Sequence, residues 1–184
     1  PGDDTTIATV KIVSRKNVCL YSGPPMDKSC DERLVTEFMI PEGKKIVCGG
    51  SSANIVSRVL KQPLMPSIEY SDPEIPPTAT IAGIDLVTEG VITLKRTVDI
   101  LKSYVENPTG KEVLASLDLK NGASQIAKML IEDCTHLYLY IGQSINPAHQ
   151  NPDLPFDLSI KMIILDELYS LMIKLGKVVK RYYY

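Results

Sequence analysis

Short apolar runs alternate with amphipathic segments along most of the chain. Apolar runs bounded by Gly, Pro or Asn are typical of buried strands, whereas apolar residues spaced three and four apart are typical of helices. The run Thr5–Val13, rich in β-branched residues, predicts a buried opening strand. The pattern predicts further strands at 17–22, 44–48, 84–87, 136–142 and 177–184, and helices at about 29–40, 53–61, 91–105, 111–118, 123–133 and 157–175.

The alternation of strands with helices determines the expected fold class. It is typical of an α/β protein in which a mostly parallel sheet carries helices on both faces, a three-layer, Rossmann-like arrangement. The proline-rich stretch 62–80 predicts an extended connection with at most a short edge strand at 68–70. Ser29 and Glu32 have the spacing of a capping box, and Gly176 is expected to end the last helix.

Composition narrows the function classes. The 184 residues are 44% hydrophobic and 23% charged, which suits one globular domain with a fragment of another attached. The net charge is −2 and the basic residues are scattered, which argues against nucleic acid and an acidic membrane surface as partners. No apolar run approaches the roughly 20 residues that span a bilayer.

The cysteines do not form a metal-binding pattern. No two cysteines have C-x-x-C spacing, which argues against a zinc site; they are Cys19, Cys30, Cys48 and Cys134. Buried free thiols in a reducing cytoplasm are the better interpretation, so we expect a cytoplasmic protein.

The strongest candidate for a binding site is the loop "CGGSS" at 48–52. It follows a predicted strand, where ligands gather in open α/β sheets. Gly49 and Gly50 permit a close backbone approach, and the free amides of the following helix favour an anion. The alternative is a tight turn in which Ser51 or Ser52 caps the helix and no ligand binds.

A second loop, "TEG" at 88–90, follows the next predicted strand. Glu89 is a candidate base, metal ligand or hydroxyl acceptor between Thr88 and Gly90, or it merely complements the helix dipole. Asp85, inside the strand, is expected to face an edge or to find a partner because an unpaired buried carboxylate is costly.

The thirteen-residue loop at 143–155 is polar and punctuated by proline. His149 is a candidate general base or ligand donor, although a lone loop histidine more often bonds to neighbouring backbone. No nucleophile and base are paired in the sequence. We hypothesise that one pocket is formed by the loop residues Gly49, Gly50, Ser51, Ser52, Thr88, Glu89, Gly90, Asn146 and His149.

Several stretches carry a family resemblance that spans nearly the whole chain. The opening "GDDTTIATVKI" resembles the last motif of metal-dependent type 2C serine/threonine phosphatases, in the branch typified by stage II sporulation protein E. The segments "GKKIVCGGSSANIVSRVL", "IPPTATIAGIDLVTEGVITL", "NGASQIAKML" and "YIGQSINPAHQNPDLP" resemble a C-terminal extension of bacterial members of this branch.

The resemblance implies that Asp3 matches the metal-binding Asp of the closing motif, with Asp4 its neighbour and Thr6 its Thr. Residues 1–15 are then the closing strand of a catalytic domain, and residues 16–184 are an accessory α/β domain. The parent protein is implied to use Mn or Mg on a phosphoprotein substrate. The family's earlier Asp-Gly motifs are absent from this sequence, so we expect no cofactor and no phosphatase activity in this chain alone.

Three functions remain open for the accessory domain. The leading hypothesis is a regulatory module that binds a small, anionic metabolite. The second is an enzyme of unrelated activity that uses Glu89 and His149. The third is a dimerisation or docking domain, in which the tyrosine-rich tail acts as an adhesive strand that supports a homodimer.

Overall fold

The computed structural model describes residues 6–10, 12–67, 75–144 and 160–184. The strands are β1 (Asn17–Ser22), β2 (Lys44–Cys48), β3 (Met65–Pro66), β4 (Ala79–Thr80), β5 (Leu86–Thr88), β6 (His136–Ile141) and β7 (Val178–Tyr183). The helices are α1 (Asp31–Met39), α2 (Gly50–Leu60), α3 (Val91–Glu106), α4 (Lys111–Leu117), α5 (Gly122–Glu132) and α6 (Ile160–Lys174), and a 3-10 turn (Lys28–Cys30) precedes α1.

The strands of the described residues form one seven-stranded sheet in the order β3-β4-β5-β2-β1-β6-β7. From β5 to β7 all neighbours are parallel, whereas β3 and β4 form a short antiparallel edge. The chain starts in the middle of the sheet with β1 and β2, passes to the edge strand β3, returns inward through β4 to β5, and then crosses to β6 on the other side of β1. This order places the topological switch point between β1 and β6 and confirms the predicted mostly parallel sheet.

Helices cover both faces of the sheet. Leu20 and Leu139 face a core formed with α3, α5 and α6, whereas Tyr21 packs with Phe38 in a second core under α1 and α2. Successive residues of a strand point to opposite faces, so a strand between two helix layers is apolar throughout. The three-layer α/β architecture expected from the sequence is therefore confirmed.

The predicted capping box at α1 is wrong. Cys30 occupies the N-cap position of α1 and makes no side-chain cap. Asp27 instead accepts a hydrogen bond from the Ser29 amide at 2.8 Å and starts the 3-10 turn. A short acidic side chain that bonds the backbone two residues later competes with the capping pattern and moves the start of the helix.

The described part of the opening segment is not a strand. Residues 6–10 and 12–16 have no regular structure, and Ile7 and Ile12 are 85% and 94% exposed. A β-branched run forms a strand only where a partner strand accepts it, and no described strand pairs with this segment. Its assignment to a neighbouring domain stays a prediction.

The remaining differences concern connections. In the proline-rich stretch, the described strands are β3 and β4, while the edge strand predicted at 68–70 falls outside the described residues. Gly176 follows the last helix with φ +72°, as expected of a helix-ending glycine. Asp85 finds partners as predicted, because it accepts hydrogen bonds from Lys44 Nζ at 2.9 Å and from the Lys45 amide at 2.8 Å.

Candidate functional site

The parallel strands bring the predicted loops to one edge of the sheet. Since β1, β2, β5 and β6 run in the same direction, the loops that follow them all leave from their carboxyl ends. The Gly49 amide donates to the Thr88 carbonyl at 2.9 Å, so the loops after β2 and β5 lie side by side. We refer to the open surface above these two loops as the β2–β5 edge.

Gly49 and Gly50 form the turn from β2 into α2. Gly49 has φ +112°, a conformation that favours glycine. A Cβ atom added at Gly50 would meet nothing within 4 Å, so the backbone there faces open space. No side chain caps α2, and the amides of a first helical turn have no acceptor within their own helix. The turn therefore presents unpaired N–H groups at the positive end of a helix dipole.

The two serines of this loop differ from each other. Ser51 is exposed beside Gly50, as a ligand contact requires. Ser52 is fully buried, and its hydroxyl accepts a hydrogen bond from the Gly23 amide at 2.8 Å. Neither serine caps α2, because Gly49 occupies the N-cap position. Ser52 thus fixes the loop after β1 rather than lining an open pocket.

The loop after β5 contributes a carboxylate oxygen without a partner. Thr88 is buried, and its hydroxyl donates to the Glu89 carbonyl at 2.8 Å. The Oε2 atom of Glu89 is buried and has no hydrogen-bond partner among the described residues. A Cβ atom added at Gly90 would lie 3.4 Å from the Gly49 Cα, so glycine allows the two loops to approach. A buried polar atom without a partner is costly, and a bound group that supplies a donor removes this cost.

Cys48, at the end of β2, belongs to the core packed under α3. Burial raises the pKa of its thiol to about 12, the hydrogen bond from Thr88 lowers it, and the Glu89 charge raises it. A protonated, fully buried thiol is inert, so Cys48 is not a nucleophile at this edge.

Two hydroxyl groups that the sequence reasoning missed lie where α3 and α5 begin. Thr93 and Ser124 are fully buried, and neither hydroxyl oxygen has a hydrogen-bond partner among the described residues. The Thr97 hydroxyl lies 2.9 Å from the Thr93 carbonyl and 3.3 Å from the Ala123 carbonyl, which joins the two helices. The segment "NGAS" at 121–124 contains Ser124, but no pattern in the sequence indicates that either hydroxyl lacks a partner.

The start of α5 also packs on the end of β5. A Cβ atom added at Gly122 would lie 2.8 Å from Cγ2 of Thr88, so only glycine fits there without a shift. Asn121 caps α5 by accepting a hydrogen bond from the Ser124 amide at 2.9 Å. The first turns of α2, α3 and α5 therefore all lie at the carboxyl ends of β2 and β5.

The switch point between β1 and β6 is closed by the chain itself. The Gly142 amide donates to the Ser22 carbonyl at 3.0 Å, and the Ser144 amide donates to the Pro24 carbonyl at 3.1 Å. The two segments thus remain paired beyond the sheet, where other α/β folds leave a crevice for a ligand. The open part of the carboxyl edge lies over β2 and β5.

Lys161, at the start of α6, is a further residue that the sequence reasoning missed. Its ammonium group donates to the Gly142 carbonyl at 2.5 Å and lies 3.5 Å from the Ser144 carbonyl. Burial lowers the pKa of Lys161, and its side chain has no carboxylate partner among the described residues. Lys161 therefore links α6 to the paired segments at the closed switch point.

A groove lies beside the β2–β5 edge, between α3 and α6. Its volume is about 490 Å³, and its wall is mostly apolar, with Val91, Ile92 and Ile163 among the lining residues. Val91 directly follows Gly90, so the groove begins where the loop after β5 ends. No buried polar atom without a partner lines it among the described residues.

Some predicted site residues cannot be placed. Asn146 and His149 lie outside the described residues, as does Asp3, the proposed metal ligand of the parent domain.

The four cysteines are free, and Cys19, Cys48 and Cys134 are buried as expected. The described part of the chain contains no group of three His, Cys, Asp or Glu residues that could hold a metal ion. It also contains no helix with the length and apolar character needed to cross a membrane.

Comparisons with known proteins add no relative. No family model, no curated protein and no solved structure matches this chain.

Proposed function

We propose that this chain is a regulatory accessory domain that binds a small ligand at the β2–β5 edge. The parent protein is a bacterial, cytoplasmic phosphatase of type 2C that acts on phosphoserine or phosphothreonine in a signalling protein and uses Mn or Mg. The parent assignment is supported by the resemblance of the opening motif and the long segments that follow it. Ligand binding is supported by two features of the β2–β5 edge: the uncapped amides of α2 and the unpartnered Oε2 atom of Glu89.

One observation carries the ligand-binding proposal. Gly50 leaves uncapped amides facing open space, and the neighbouring loop holds Glu89 with a buried, unpartnered Oε2 atom. A buried carboxylate oxygen without a partner is costly, and a bound donor would remove that cost. Groups left unpaired on two adjacent loops are typical of a binding site that is completed by its ligand.

The test is a valine at Gly50. Because a Cβ there meets no atom within 4 Å, Gly50→Val should leave the fold intact while blocking the amides. Binding is measured by ¹⁵N–¹H NMR and thermal shift with inorganic phosphate, sugar phosphates, nucleotides and amino acids. Asn54→Val, at an exposed position of the same helix, is the matched control.

We expect at least one compound to bind the wild type and the Asn54→Val control but not Gly50→Val. Binding that survives Gly50→Val would place the ligand elsewhere and contradict the proposal. If Gly50→Val unfolds the chain, the glycine is structural and this argument fails.

A second function is favoured by the edge strand β7. Among the described residues β7 is paired on one side only, with β6, and Val178 and Tyr183 are 48% and 44% exposed. An exposed edge strand can pair with another chain, so we propose a homodimer formed through β7 as the second candidate. Light scattering should then show a dimer, and Tyr183→Pro should return it to a monomer. The Val178 and Tyr184 amides donate within the chain to Thr135 and Ile141, whereas the alternation of a strand turns the Tyr183 amide to the outer edge. The enzyme hypothesis with Glu89 and His149 stays a prediction.

A further inference from the structure

An open groove between α3 and α6 has the features of a second binding site. Its volume is about 490 Å³, and both helices contribute aliphatic side chains to its wall. We propose that this groove binds a free, single-chain aliphatic carboxylate, with the carboxylate on Arg96 and the chain along the apolar wall. The inference goes beyond the proposed function, because it does not depend on any ligand at the β2–β5 edge.

Aliphatic side chains form most of the wall of the groove. They are Ile75, Val91, Ile92, Ile160, Ile163 and Ile164. Ile92 of α3 is 55% exposed and Ile163 of α6 is 36% exposed, so both helices leave apolar surface in water. Sites for small molecules have volumes of about 300–1,000 Å³ and are mostly apolar with a few polar groups. An apolar chain that covers this wall is therefore stabilised by the hydrophobic effect.

The charged groups beside this wall compensate one another, with one exception. Lys95 Nζ lies 3.0 Å from Asp99 Oδ1 and 4.0 Å from Glu167 Oε2, and Lys102 Nζ lies 3.1 Å from the same Glu167 oxygen. Arg96 also lines the groove, and it forms no ion pair or hydrogen bond with any of the described residues. The groove thus carries one uncompensated guanidinium group, whose planar donors match a carboxylate.

The apolar part of the groove has a defined length. Beyond Glu167 the groove continues between the same helices, but four further charged residues line it, namely Lys102, Glu106, Asp166 and Lys174. The apolar part therefore extends along α6 from Ile160 to Glu167, about 11 Å at 1.5 Å per residue. An extended chain advances about 1.2 Å per bond, since the three backbone bonds of a residue span about 3.3–3.6 Å. A chain of about ten carbon atoms fills this length.

Other occupants suit the groove less well. A helix is about 10–12 Å wide, whereas packed helix axes are about 8–10 Å apart, so the cleft between α3 and α6 is too narrow for a third helix. A second copy that met the same surface would bring another Arg96 but no free carboxylate, because Asp99 and Glu167 are already paired. An anionic membrane attracts clusters of basic residues, whereas Arg96 is the one uncompensated cation among the described residues that line the groove.

The experiment titrates hexanoate, octanoate, decanoate and dodecanoate into the ¹⁵N-labelled whole chain, each below its micellar concentration. Because an open groove buries about half of each methylene group, binding should tighten about fourfold with every two methylenes as far as decanoate. Dodecanoate should bind within about twofold of decanoate, because its last carbons extend beyond the apolar wall. Decan-1-ol and decyltrimethylammonium should bind at least about threefold more weakly than decanoate, because neither carries a negative charge for Arg96.

Two sets of variants locate the binding. Ile163→Gln should weaken decanoate at least about fivefold, whereas Ile173→Gln, on the same helix and 47% exposed but outside the groove, should not. Arg96→Gln should weaken decanoate about threefold and leave decan-1-ol unchanged, and Arg96→Lys, which keeps the charge, should fall between Arg96→Gln and the wild type. Lys111→Gln, at an exposed position of α4, should change neither compound.

The opposite results would contradict the inference. If no carboxylate binds, or if decan-1-ol binds as tightly as decanoate, the groove is not a carboxylate site; the proposed function, tested at Gly50 with other compounds, is unaffected. If Gly50→Val abolishes decanoate binding and Ile163→Gln does not, decanoate belongs to the β2–β5 edge, so the inference is wrong and the proposed function stands.

Two further measurements test the other occupants directly. A dimer in light scattering that Ile163→Gln dissociates would assign the groove to a second copy and contradict the inference. Binding to phosphatidylglycerol vesicles without binding of free decanoate would assign it to a membrane and would also contradict the inference. The carboxylate series uses the wild type, so the result does not depend on whether any variant folds.

Discussion

Gly142→Ala should be the most damaging conservative substitution at the carboxyl edge. A Cβ atom added at Gly142 would lie 2.1 Å from the Gly23 carbonyl oxygen and 2.3 Å from the Pro24 carbonyl oxygen. Both are backbone atoms, so no side-chain rotation relieves the overlap. Gly142 does not have a positive φ, and the expected penalty therefore comes from contact and not from backbone conformation.

The expected loss of stability can be worked out from the two backbone segments that must move apart. The segments after β1 and β6 have to separate by about 1 Å, and overpacking of this kind costs about 1–3 kcal/mol. The separation also weakens the hydrogen bonds Gly142 N to Ser22 O (3.0 Å) and Ser144 N to Pro24 O (3.1 Å), each of which contributes about 1 kcal/mol. We expect the free energy of unfolding to fall by about 2–4 kcal/mol, which lowers the Tm of a chain of this size by about 5–15 °C.

Urea denaturation and differential scanning calorimetry measure this change. Gly50→Ala is the matched control, because a Cβ at Gly50 meets no atom within 4 Å. That substitution should be neutral or stabilise the chain by up to about 1 kcal/mol. If Gly142→Ala changes the free energy of unfolding by less than about 0.5 kcal/mol, the close approach of the two segments is wrong, and with it the closed switch point.

Other predictions test the thiols, the buried lysine and the catalytic assignment. Burial raises the pKa of Cys48 and Cys134 to about 12, so native-state alkylation mapped by mass spectrometry should modify the partly exposed Cys30 first; equal rates would contradict this. Burial holds the pKa of Lys161 below its ordinary 10.5, so at this lysine the unfolded chain binds more protons just below pH 10.5, and the contribution of Lys161 to stability, taken as the difference from Lys161→Met, should rise with pH there. Lys161→Met should remove that rise, and an unchanged pH profile would contradict the assignment. A phosphopeptide incubated with this chain and Mn or Mg should stay intact, and turnover that Asp3→Ala abolishes would overturn this expectation.

Periodicity along the chain was sufficient to predict most elements of the fold. The run at 44–48 is short and apolar, the glycines after it permit a sharp turn, and the spacing of Ile55, Val56 and Val59 is helical. These local patterns also fix direction, because alternating strands and helices lead to parallel pairing. The confirmed parallel arrangement of β1, β2, β5 and β6 follows from this rule.

Periodicity could not identify which polar groups lack partners. Thr93 and Ser124 are thirty-one positions apart in sequence, and their burial depends on how α3 packs against α5. Lys45 illustrates the same limit, because only 5% of it is exposed and its ammonium group donates to the Phe38 carbonyl at 2.8 Å. A sequence pattern shows a strand position, but it does not show that the end of the preceding helix supplies the acceptor.

The strand order also decides which loops can share a ligand. The order β5-β2-β1-β6 puts the ends of β5 and β2 next to each other, whereas three strand spacings, about 14 Å, separate β5 from β6. The chain after β6 begins on the far side of β1, where Gly142 and Ser144 pair with the segment 22–24. Gly122 of α5 packs directly on Thr88 at the end of β5, and the Gly49 amide donates to the Thr88 carbonyl. The loops after β2 and β5 and the start of α5 are therefore the described segments that the fold brings together at this edge.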